Sequence, residues 1–131
     1  MATGKKRKNE LVKYADEVIR SSTIYQDGVI ESDSYNGQIA AFSVTVALSG
    51  LKPAMAIYYS EKGNSSINKS VIVDLLSMMY NKDNNTTINK DRLFEMVIKA
   101  EGEEELSLRN TIIEYAIALK LTIRTFKFKE L

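Results

Sequence analysis

The run from Tyr35 to Gly63, YNGQIAAFSVTVALSGLKPAMAIYYSEKG, constrains this chain more than any other segment. Gly37 to Leu51 carries no charge and ends in Ser49-Gly50-Leu51, and a second apolar stretch, Ala54 to Tyr59, closes on Glu61-Lys62-Gly63. The spacing predicts two buried helices joined by a tight glycine corner. Asp33-Ser34 suits the cap of the first helix, and Gly50 suits its left-handed stop. Pro53 stands where a second helix begins, reaching about Lys62. Ser43, Thr45 and Ser49 interrupt the first run and Lys52 ends it, which leaves it short of the roughly 20 apolar residues of a membrane span.

The rest of the chain has the same period. Leu11, Ala15, Val18 and Ile19 recur at helical spacing over about Arg7–Ser21. Residues 1–6 read as a flexible basic N-terminal arm, and 7–131 as a single helical domain. Thr23 to Glu31 is expected to be an ordered loop; Asp27-Gly28 between Ile24-Tyr25 and Val29-Ile30 offers a two-strand ribbon as the alternative. Ser65-Ser66 caps a helix over about Ile67–Asn81, with Val71, Leu75, Met78 and Met79 inward. A polar loop follows, then a helix from Asn89 to about Ala100 that Gly102 ends, then a last helix from Glu103 to Lys127. The expected fold class is all-α, a single compact bundle of about six helices.

Cysteine and histidine are both absent from the 131 residues. That removes disulfide frameworks, Cys/His zinc sites, thiol nucleophiles and imidazole bases. Asp83-x-Asn85-x-Thr87-x-Asn89-x-Asp91 imitates a calcium loop, but Ile88 replaces the glycine and Phe94 the closing glutamate. Glu103, Glu104 and Glu105 are consecutive on a helix and diverge, so they suit the helix start and not a shared metal or acid–base site. No enzyme site assembles, and no metal or cofactor is expected. Net charge is +1, of which Lys5-Lys6-Arg7-Lys8 supplies four positive charges. The remainder is slightly acidic, so any nucleic-acid role rests on local patches. Lys5 to Lys8 leads into Asn9-Glu10 and not into an apolar core, which reads as a cytoplasmic protein without membrane attachment.

The last helix is the most informative. Ile112, Tyr115, Leu119, Ile123 and Phe126 share one stripe; Ile117, Leu121 and Phe128 form a second, almost opposite. Arg109, Lys120, Arg124 and Lys127 lie between them on one side. Either the helix is central, with cations complementing its negative end, or Ile117, Leu121 and Phe128 meet a protein partner beside a strip that faces phosphates. Tyr58, Tyr59 and Tyr80, and the alternation Phe126-Lys127-Phe128-Lys129, read as core, rim and helix end in preference to a base-stacking platform.

Several of these positions resemble one family, the small helical subunit of type III-B CRISPR RNA-guided effectors, the Cmr complexes. Tyr35 opens a helix, Phe42 follows, Gly50-Leu51 makes the corner and Lys62-Gly63 the stop. Leu11 to Ile19 matches the family's N-terminal helix, and Tyr115-Ala116-Ile117-Ala118-Leu119-Lys120 with Arg124-Thr125-Phe126 its final one. Ser43 departs from the proline the family often carries there. The likeness runs from about residue 8 to 127. It implies a compact helical, non-catalytic subunit that stacks head to tail along the effector and helps to hold guide RNA and target RNA. Phosphate contacts then fall to Lys62, Arg109, Lys120, Arg124 and Lys127, and contacts with other subunits to Ile117, Leu121 and Phe128. The alternative is a helical protein–protein adaptor without nucleic acid.

Overall fold

A computed structural model describes residues 3–60 and 69–130. Among them are six α-helices, as the sequence predicts, and one small ribbon: α1 (Thr3–Ser21), β1 (Tyr25–Gln26), β2 (Val29–Ile30), α2 (Ser34–Ser49), α3 (Leu51–Tyr59), α4 (Ser70–Asn84), α5 (Lys90–Lys99) and α6 (Gly102–Ile123). α3 ends at Tyr59, with Ser60 already extended, short of the expected Lys62; the Lys62-Gly63 stop and the Ser65-Ser66 cap lie outside the described residues.

α6 is the axis of the bundle. It packs against α1, α2 and α4, and buries Ile112, Tyr115, Ala116, Ala118, Leu119, Thr122 and Ile123. α1 contributes Leu11, Ala15, Val18 and Ile19 to the same core, and α4 contributes Ile72, Val73, Leu75, Leu76 and Met79. α5 adds Leu93 and Val97, and its N-cap is Asn89, whose side chain accepts from the Arg92 N–H.

Several local expectations change. α1 starts at Thr3, so residues 4–6 belong to a helix and not to a loose arm; the anchor is Arg7, which reaches Asp83 of α4 and Glu114 of α6. α2 is not a buried helix. Tyr35, Ile39, Phe42 and Val46 face the core, while Val44 and Leu48 are 57% and 82% exposed. Lack of charge marked the segment as compatible with burial but did not decide it. Gly50 does terminate α2 at positive φ, yet its ψ of 167° makes an extended mirror-image corner, not a left-handed helical stop. α3 then begins at Leu51, so Pro53 is its third residue; a first-turn N–H has no partner inside a helix, and proline gives nothing up there.

A further change is at the C-terminus. α6 stops at Ile123, and the following residues turn back to lie beside the ribbon, Ile30 N–H donating to the Lys127 carbonyl and Lys129 N–H to the Ile30 carbonyl, both at 2.8 Å. β1 and β2 pair antiparallel, Tyr25 opposite Ile30, so the Asp27-Gly28 signal yields the ribbon and not the loop. Both turn residues hold positive φ.

Candidate functional site

α6 ends in solvent on one face, and the structure sorts the predicted residues along it. Ile117 and Leu121 are 44% and 52% exposed. At about 100° per residue, Ala118 and Leu121 lie on one side of Ile117 and Lys120 and Arg124 on the other. The first side meets α1. A furrow there is lined by Lys8, Leu11 and Val12 from α1 and by Glu114, Ile117, Ala118 and Leu121 from α6. A second hollow continues it past Val12 and Leu121 to Lys13, Asp16 and Glu17 of α1 and Thr122 and Thr125. The matched numbering shows that α1 and α6 run parallel along this seam.

Arg109 and Lys120 are half-buried and Arg124 is exposed. They follow one side of α6 over roughly 22 Å of axis. Lys127 leaves this row, because it stands in the extended segment after the helix, exposed next to Ile30's pairing partner Phe128. None of the four takes part in an ion pair among the described residues. Lys62 lies outside the described residues.

Phe128 requires a correction. It is half-buried against the core and no longer on α6, so it does not stand with Ile117 and Leu121. In Phe126-Lys127-Phe128-Lys129 the period is that of extended chain: the two rings turn inward and the two lysines outward. Phe126 meets Tyr25 edge-to-face at 5.4 Å, with the Arg20 guanidinium 4.9 Å from its centroid. Tyr59 and Tyr58 are also occupied, and Tyr80 is partly buried against the core. Tyr59 stacks on Phe94 at 4.2 Å, and Tyr58 packs edge-to-face on Phe42 and donates to the Gln38 carbonyl.

Sequence reasoning missed Val12, which is 40% exposed and faces Leu121 in the furrow. Its signal was present: it is an apolar residue one step beside the Leu11–Ala15 stripe. It also missed the polar centre. Asp83 accepts from Arg7 and from the Tyr115 hydroxyl. Burial alone raises its carboxyl, but these bonds outweigh burial and hold it below the usual carboxylate range. Burial, then the hydrogen bond to the Asp83 carboxylate and that group's charge, push the Tyr115 phenol well above its ordinary value. Asp83 is therefore committed to the fold and not to calcium. The described residues hold no group of three acidic side chains fit for a metal ion, and none of their helices is long and apolar enough to cross a membrane.

No protein-family model matches the chain, and comparison with curated proteins gives no match. A solved structure of a CRISPR-associated Cmr5 family protein from Thermus thermophilus does, with a TM-score of 0.70 over 92% of this chain and 96% of that one, at 18% sequence identity. At that identity the likeness is one of architecture: this chain has the fold of that Cmr5 family protein.

Proposed function

We propose that this chain is a non-catalytic small subunit of a type III-B CRISPR effector, a cytoplasmic protein that joins other subunits along the complex and helps to hold guide and target RNA. The observation that carries the reading is the shared fold, which covers nearly the whole of both chains. The surface of α6 supports it. A row of cations without ion pairs among the described residues, Arg109, Lys120 and Arg124, suits phosphate without sequence readout, with Lys127 and Lys62 as further candidates. Ile117 and Leu121 on the other side suit a protein neighbour. One copy offers few phosphate contacts, so retention comes from repetition of copies along one RNA.

Purifying the tagged chain from its native host and sequencing the RNA that comes with it tests this. The expected outcome is short uniform RNAs with a common repeat-derived end, together with larger protein subunits. Recovery of one defined protein and no RNA overturns it in favour of the adaptor reading, which the apolar furrow independently favours. In that case partner retention depends on Ile117 and Leu121 and is nearly independent of salt.

A further inference from the structure

The furrow between α1 and α6 has an apolar floor and an unbalanced rim. Leu11 and Ala118 are buried at its base, while Val12, Ile117 and Leu121 stand 40–52% exposed along its walls. The acidic residues on its edge are in contact with cations: Asp16 pairs with Arg20 at 2.9 Å, Glu17 with Lys82 at 3.0 Å, and Glu114 shares Arg7, at 3.3 Å, with Asp83. Two edge cations, Lys8 and Lys13, have no acid partner among the described residues. Lys8 and Lys13, one on each side of the Val12 turn, therefore leave the edge with a net positive excess.

We propose that this furrow receives an amphipathic acidic helix from a different protein chain, with apolar residues at i, i+3 or i+4 and i+7 against Val12, Ile117 and Leu121 and carboxylates toward Lys8 and Lys13. The proposal rests on the reading of this chain as an assembly subunit and names the partner chemistry of its protein-facing side. The seam runs from Lys8 to Glu17 on α1, a span of about 14 Å, which matches two to three helical turns. An apolar centre between two separated cations fits a helix better than a phosphate backbone, which would leave the three aliphatic side chains facing charge.

The test is methyl-resolved NMR of the full chain with a hydrocarbon-stapled peptide of about 14 residues carrying leucines at that spacing and glutamates on both flanks. The control is the same peptide with lysines in place of the glutamates. The acidic peptide should shift the Val12, Ile117 and Leu121 methyls saturably and bind about tenfold more tightly than the lysine peptide at low salt. The double variant Lys8→Glu/Lys13→Glu should reverse that preference while the core methyl spectrum stays unchanged. Binding indifferent to peptide charge overturns the proposal, as do shifts confined to the Arg109–Arg124 side. So does displacement by oligouridine, which would assign the furrow to RNA, or loss of the furrow methyl signals with rising protein concentration alone, which would assign it to a second copy. Because the readout needs only the purified chain, its failure is separable from a failure to recover RNA from the host.

Discussion

The Tyr115 hydroxyl donates a hydrogen bond to the Asp83 carboxylate, joining the middle of α6 to the last turns of α4. Arg7 grips the same carboxylate from α1 and also contacts Glu114. Three helices distant in sequence thus share one polar knot at the rim of an apolar core. It fixes how the first turns of α1 lie on α6, and therefore the shape of the furrow one turn further on.

Arg7→Ala leaves Asp83, whose side chain is only 12% exposed, with one partner fewer. It should lower unfolding free energy by about 1–3 kcal/mol, because a poorly solvated carboxylate loses its counter-charge. Tyr115→Phe keeps the packing and should cost about 1 kcal/mol. Urea unfolding at neutral pH measures both. The folded carboxyl of Asp83 is depressed relative to an unfolded value near pH 3.9, so its contribution is present above that value and is lost as pH falls through the folded one. The stability gap between the wild-type chain and Asp83→Asn should accordingly be full at pH 7 and shrink below about pH 4. A gap that does not change with pH would remove the knot's assigned role.

Gly50 turns the chain from α2 into α3 at φ 92°, ψ 167°. A Cβ there would meet only Pro53 Cδ at 3.8 Å, an ordinary contact, so space is not what requires glycine. The backbone is. Gly50→Ala should cost about 1–3 kcal/mol through strain alone, whereas Gly37→Ala, on an open helical face, should be neutral or slightly stabilising. Equal melting shifts for the two variants would sink this explanation of the corner.

Helix number and the inward stripes were legible because α1 and α5 carry clean 3.6-residue periods and one of the two apolar stripes of α6 keeps that spacing; Leu11, Ala15, Val18 and Ile19 and the Ile112–Ile123 set are buried as the spacing predicts. What failed had physical reasons. Arg7 sits in a basic run, and nothing local tells a solvated cation from one whose counter-charge, Asp83, lies 76 residues away. Val44 and Leu48 are exposed because apolar character permits burial without enforcing it. The end of α6 was misplaced because Phe126 continues the helical stripe while Phe126-Lys127-Phe128-Lys129 also fits a two-residue period; pairing with Ile30, a tertiary contact, decides between them. For the candidate site, Ile117, Leu121 and the α6 cations were readable from one helix. Val12 was legible only as an apolar residue beside the α1 stripe; its place opposite Leu121 was not, because that neighbour comes from the opposite end of the chain.

The relocation of Phe128 has a direct consequence. Phe128→Ala should lower stability by about 1–3 kcal/mol, since the ring packs on the core and its segment closes the ribbon. Ile117→Ser and Leu121→Ser, at exposed positions, should each stay within about 0.5 kcal/mol of the parent. Thermal melts of the three variants decide it. If Phe128→Ala melts like the parent while partner binding is lost, the residue belongs with the interface after all.

The salt dependence of RNA binding isolates the cationic side of α6. Arg109, Lys120 and Arg124 have no ion pairs among the described residues, so neutralising them should not unfold the chain. Each phosphate contact to a single strand contributes roughly 0.7 to the slope of log affinity against log salt. The triple variant Arg109→Gln/Lys120→Gln/Arg124→Gln, assembled with its partners, should therefore lower that slope by about 2 for a single-stranded RNA, with weakening that is uniform across sequences. Val12→Ser/Leu121→Ser, in the furrow between α1 and α6, should leave the slope unchanged while reducing incorporation into the assembly. A reversed pattern would exchange the two surfaces. A slope unmoved by either variant would mean that α6 meets no phosphate, and the retained RNA would have to be held by other subunits.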